Sequence, residues 1–213
     1  MKFAQRTAIL ITVAATWLAL VATAATASPP SVQGTAQAAK GCITVTATIP
    51  VGSAPDEAAA NPKTNTIYVT NSVDNTVSVI DGRTNTVTAT ILLPMSSNPL
   101  GVAVNPRTNT IYVTNAGLNT LSVISGRTNT MVATVPVGIA PVAVAANPLT
   151  DTIYVVNRSS DTVSVISGRT NTVVATVPVG SFPNGVAANP QANTAYVTNT
   201  DDNTVSVLTS RRR

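Results

Sequence analysis

One segment recurs four times along this chain. Residues 64–71 read TNTIYVTN, residues 108–115 repeat that string, residues 150–157 read TDTIYVVN and residues 192–199 read ANTAYVTN. The tyrosines Tyr68, Tyr112, Tyr154 and Tyr196 stand 44, 42 and 42 residues apart. A fixed period of this length belongs to architectures in which one supersecondary unit stacks on copies of itself, because a lone unit cannot bury its apolar face. Function in such folds is carried by surfaces built from many units more often than by one deep cleft.

Each of the first three units holds four short runs rich in Val, Ile, Thr and Tyr, residues that fit a pleated sheet, and the fourth holds three. In the third unit these are VAVAAN (142–147), TIYVVN (152–157), TVSVIS (162–167) and TVVATVPVG (172–180). Pro and Gly fall between runs or at their ends, where they spare the ladder. Asn-Thr and Asp-Thr pairs open most of the second and third runs, and their short polar side chains support tight turns. The first runs, EAAAN, VAVN, VAVAAN and GVAAN, favour small residues, as innermost strands crowded around an axis require. Helical repeats would need a 3.6-residue apolar period in place of these β-branched runs. Four antiparallel strands per unit predict an all-β propeller of four four-stranded blades.

Residues 1–27 read as an export signal: Lys2 and Arg6, then an apolar run from Ala8 to about Ala25, then Ala25-Thr26-Ala27 before Ser28. Retention of the run as a membrane anchor is the competing reading, and no other stretch is long enough to span as a helix. Residues 28–41 read as a flexible linker and residues 42–213 as the repeat domain, so the expected location is secreted or at the cell surface. Cys42 is the only cysteine, which excludes an intramolecular disulfide. It lies too far beyond the apolar run for a lipid-anchor cysteine and reads as a plain strand residue.

The ends of the repeat region are out of phase with the repeat. The fourth unit stops at TVSVLTS (204–210), without a fourth run, while ITVTATIPVG (43–52) matches the fourth runs 86–94 and 172–180. The expectation is that residues 43–51 complete the last blade beside residues 204–209. A closed four-bladed ring and half of an eight-bladed ring shared by two chains both satisfy it. The motif TIYVTN, with Asn-Pro before it and TVSVID after it, resembles the YVTN-type β-propeller repeat of secreted bacterial and surface-layer-like proteins. The resemblance covers residues 43–210 and implies a propeller of about seven blades; it implies no single function, since propellers host unrelated activities.

Strand alternation sorts the charges. Lys63, Arg83, Arg107, Arg127, Arg169 and Arg211 fall in turns on one side, with Lys40, Arg212 and Arg213 and against Asp81 and Asp151. Asp56, Glu57, Asp74, Asp161, Asp201 and Asp202 fall on the other, against Arg158. The basic side is the candidate partner-binding face, for a protein or an anionic surface polymer. Duplication of one turn residue along with the repeat explains Arg83, Arg127 and Arg169 equally well. No aromatic residue interleaves with the arginines, so no specific nucleic-acid partner is expected.

The chain has no histidine, Glu57 is its only glutamate, and its one tryptophan, Trp17, lies in the signal segment. No catalytic residue and no cofactor is assigned, since histidine-dependent triads and metal sites are excluded. Asp201-Asp202-Asn203 and Ser160-Asp161 do not match a calcium loop, so no metal is expected. Asn157-Arg158-Ser159 is a glycosylation sequon only in a suitable host. The expected function is a non-enzymatic extracytoplasmic binding or structural scaffold. The alternative is a propeller enzyme, lactonase-like or quinone-dependent dehydrogenase-like.

Overall fold

A computed structural model of the chain describes residues 43–209. The proposed signal and linker, Cys42, Arg211 and its two neighbours lie outside these residues. The chain falls into two units, Met1–Thr44 and Val45–Arg213. Of the first, only Ile43 and Thr44 are described, and they carry no regular structure.

The second unit is four antiparallel meanders. The first blade is β1 (Pro55–Asn61), β2 (Thr66–Asn71), β3 (Thr76–Asp81) and β4 (Thr86–Leu92). The second is β5 (Pro99–Asn105), β6 (Thr110–Asn115), β7 (Thr120–Ser125) and β8 (Thr130–Pro136). The third is β9 (Pro141–Asn147), β10 (Thr152–Asn157), β11 (Thr162–Ser167) and β12 (Thr172–Pro178). The fourth has three strands, β13 (Pro183–Asn189), β14 (Thr194–Asn199) and β15 (Thr204–Thr209). One short 3-10 turn, Arg158–Ser160, interrupts the strands, and among the described residues no helix is long and apolar enough to cross a membrane.

Each letter of the repeated YVTN motif has its own task. Strand side chains alternate between faces, so in β6 Tyr112 points to one neighbouring blade while Ile111 and Val113 point to the other. Tyr68, Val77, Val79 and Ile91 of the first blade pack on Val102, Ile111, Val113 and Ile124 of the second. The same faces meet between the second and third blades and between the third and fourth. The threonine holds a bulge at the start of the inner strand: Thr114 Oγ1 accepts from Gly101 N at 2.8 Å and Thr198 Oγ1 from Gly185 N at 3.0 Å. The asparagine is buried and ties β2 to β3. Asn71 Nδ2 donates to Thr76 Oγ1 and Ser78 Oγ, and Asn115, Asn157 and Asn199 do the same in their blades.

The Asn-Thr signals are turn chemistry. Asn65, Asn75, Asn85 and their equivalents, with Asp151 and Asp161, close their turns in the left-handed region at φ of 50–56°. Asn and Asp adopt that conformation at the lowest cost after glycine. The asparagine before each proline works twice. Asn105 Oδ1 accepts from Arg107 N within its own turn, and its Nδ2 donates to Asp151 Oδ1 of the next blade at 2.7 Å. Asn61 reaches Asn109 and Asn147 reaches Asn193 in the same way.

Two expectations from the sequence need correction. Tyr68, Tyr112 and Tyr154 are 1–3% exposed, but Tyr196 is 41% exposed, because no blade covers the far side of β14. The strand expected at 43–51 is also not formed within the single chain. Val45–Pro50 make no ladder, and β15 keeps a free edge. The reason is where this segment leads. A Cβ on Gly52 would lie 2.7 Å from Asn71, just as Gly138 abuts Asn157 and Gly180 abuts Asn199. Residues 50–52 therefore enter the first blade as each fourth strand enters the blade after it. The inner strands pack β1 on β5, β5 on β9 and β9 on β13, with no comparable contact from β13 to β1.

Candidate functional site

The meander fixes which turns share a side. Asn61, Thr66, Asp81 and Thr86 lie level across the first blade, and Pro55, Asn71, Thr76 and Leu92 lie level at its other end. Lys63 follows Asn61 and Arg83 follows Asp81, so both sit at the first end. Arg107, Arg127 and Arg169 occupy the matching turns of their blades. All five are exposed. Among the described residues the only ion pair is Arg83 with Asp81, at 3.9 Å and largely in solvent. The other four side chains make no hydrogen bond there. Arg211 lies outside the described residues.

The acidic residues at the opposite end are engaged differently. Asp74 Oδ2 accepts from Ser53 N, Asp202 Oδ2 from Ser181 N and Asp161 Oδ1 from Phe182 N, at 2.7–2.8 Å. Asn75 and Asn119 accept from Asn98 N and Ala140 N in equivalent places. These carboxylates hold the crossovers that carry the chain from one blade to the next.

The inner strands reveal a feature that reading the repeats as loops misses. Their second and third residues are Asp56-Glu57, Leu100-Gly101, Val142-Ala143 and Asn184-Gly185. All of these but Gly101 line a shared axial cleft of about 460 Å³, joined there by Arg158. Arg158 donates to Asn184 Oδ1 and lies 5.1 Å from the centre of the Phe182 ring. Glu57 Oε2 accepts from Val102 N at 2.8 Å, which links the first blade to the second. Loss of solvent around the Glu57 carboxyl raises its pKa; the Val102 bond lowers it, and neighbouring Asp56 raises it further. The cleft thus sets two acids on one wall against a guanidinium and an amide on the other, at positions where the repeats differ in charge. The sequence does carry a signal: PDEAAAN has two acids at these positions where PLGVAVN, PVAVAAN and PNGVAAN have none.

Among solved structures, the chain is similar to hydrazine synthase of Kuenenia stuttgartiensis, with TM-score 0.64 and 23% identity over 74% of this chain and 45% of that one. It is similar as well to a functionally unknown protein from Desulfotomaculum acetoxidans DSM 771, with TM-score 0.60 and 14% identity over 72% of this chain and 55% of that one. At these identities the likeness shows the fold, and the chain spans about half the length of each. A comparison with curated proteins gives no match. The family described as "Lactonase, 7-bladed beta-propeller" matches residues 32–212, nearly the whole repeat region, and this chain belongs to that family.

Proposed function

We propose that this protein is an exported propeller of the YVTN-repeat type that acts as a non-enzymatic binding scaffold at the cell surface. Its working surface is the turn face carrying Lys63, Arg83, Arg107, Arg127, Arg169 and Arg211, and its partner is a protein or surface polymer rich in negative charge. One observation carries the reading: the charges of the two ends are used differently. Asp74, Asp161 and Asp202 are consumed in backbone bonds that hold the crossovers. The basic turn residues are exposed and, apart from Arg83, unpaired among the described residues. Duplication alone would account for their recurrence, but a structural duty like that of the acids is missing.

The test is binding of polyglutamate and polyphosphate across a salt series. Exposed attraction is screened over about 8 Å at physiological salt. Affinity should fall steeply as salt rises, and the combined Arg83→Ser, Arg127→Ser and Arg169→Ser variant should not bind while melting like the parent. Failure to bind either polymer at low salt, or binding that survives the triple substitution, overturns the reading.

A second reading has the family and the axial cleft in its favour: hydrolysis of a lactone there. Glu57 would serve as base toward a water and Arg158 would face the developing negative charge. Family membership favours this over a quinone-dependent dehydrogenase. Turnover of a lactone panel that Glu57→Gln abolishes and the turn-face variant leaves intact would establish it.

A further inference from the structure

The two end faces of the repeat unit are complementary halves of an interface that the chain already builds three times. On the last blade, Tyr196, Val205 and Val207 are 41%, 56% and 57% exposed, although Tyr154 and Val163 at equivalent positions are buried. On the first blade, Ile67 and Val69 are half-buried, although Ile111, Val113, Ile153 and Val155 at the same places are fully buried. The covering face is thus bare at one end and the covered face at the other.

The polar fittings are split in the same manner. Asn189 is exposed at the position from which Asn61, Asn105 and Asn147 each reach the next blade's turn. Asn65 holds the accepting conformation in the first blade. Asn203 matches Asn75, Asn119 and Asp161, the acceptors at the crossovers, and Ala54, at φ 52°, matches Ala140 and Phe182, their donors.

The fourth strand follows suit. An apolar slot of about 470 Å³ runs between β12 and the free edge of β15, lined by Ala175, Val177, Val207 and Leu208. The corresponding slot beside β8 is filled by β12, whose Val173 packs into the second core cluster. Val177 is left half-buried, whereas Val135 and Ile91, its equivalents, are 3% and 4% exposed. Residues 45–51 carry the fourth-strand sequence and stand in front of the first blade, with Val45 87% exposed.

We propose that a second copy of this chain docks head to tail on these faces, and that two copies close an eight-bladed ring. Residues 45–51 of each copy become the fourth strand beside β15 of the other. The first blade of each copy then packs Ile67, Val69 and Ile80 onto Tyr196, Val205 and Val207 of the other. Within one chain β13 and β1 lack the contact that joins the other neighbouring inner strands, so both faces are left for a second copy that presents the same residues as the interfaces already built. A heterologous contact that closes after two copies forms a ring and leaves no apolar end.

The test uses the chain from Ser28 onward. Light scattering on the size-exclusion peak should give twice the chain mass, and Val207→Asp combined with Tyr196→Asp should halve it while the β-sheet circular dichroism persists. In a Cys42→Ser background, Ala47→Cys with Val207→Cys should oxidise to a band of doubled mass on a non-reducing gel. A wild type that elutes with the mass of one chain, a disulfide formed within one chain, or a ladder of larger species would each overturn the two-copy ring.

Discussion

At the residue scale, the four copies of one motif act as an internal control. Tyr112 lies between two blades and Tyr196 on a bare face, so the same substitution should have different costs in the isolated chain. Tyr112→Ala should lose about 3–5 kcal/mol, as truncation of a buried aromatic does. Tyr196→Ala should lose less than about 1 kcal/mol in a chain held monomeric by Val207→Asp, as at other surface positions. Denaturant melts of the two variants in that background measure the contrast, and equal losses would refute the open end face. Asn115→Ala strands the hydroxyls of Thr120 and Ser122 and should cost about 1–3 kcal/mol. Glu57 makes a pH prediction of definite sign. Its folded pKa is raised, so the folded state holds the proton more tightly than the unfolded chain. Stability from this group is therefore lost as pH rises from the usual carboxylate range through the raised value. Glu57→Gln should flatten that slope in melts across pH 4–7, an interval set by the ordinary glutamate value of about 4.3 and the upward shift. An unchanged slope would place the carboxyl in open solvent.

At the element scale, strands and turns were legible in the sequence because their causes are local. A left-handed turn residue asks for Asn or Asp, and alternate β-branched residues ask for a pleat, so the runs at 152–157 and 162–167 could be placed from their letters. The side of the sheet on which Lys63 and Arg83 lie was legible too, since a meander alternates its turns. The uneven use of charge was not, because the bond from Ser181 N to Asp202 spans a crossover that only the assembled blades bring together. The axial cleft escaped for a similar reason. Asp56 and Glu57 look like loop acids until the bulge held by Thr70 turns them to the axis beside Arg158. Asp202→Ala removes one end of that crossover bond and should cost about 0.5–1.5 kcal/mol. Its hydrogen exchange should quicken at residues 179–183 ahead of the first three blades. Uniform quickening across all blades would show that the crossovers carry no local load.

At the scale of the whole molecule, the period of the tyrosines foretold the number of blades, and the unpaired fourth run foretold an unfinished edge. What completes that edge depends on the angle between blades, which no single repeat encodes. The three interfaces are built from equivalent residues, and the faces at either end are halves of a fourth. The account therefore stands or falls on residues 45–51 and 204–209, a segment without a ladder and a free edge in the single chain, which would be two paired strands in the proposed assembly. Hydrogen–deuterium exchange resolved to these two stretches is the most direct test. In the wild type both should be protected as strongly as β8 and β11, and both should exchange rapidly once Val207→Asp separates the copies. Rapid exchange of residues 45–51 in the wild type at every concentration, with β15 no better protected, would contradict it.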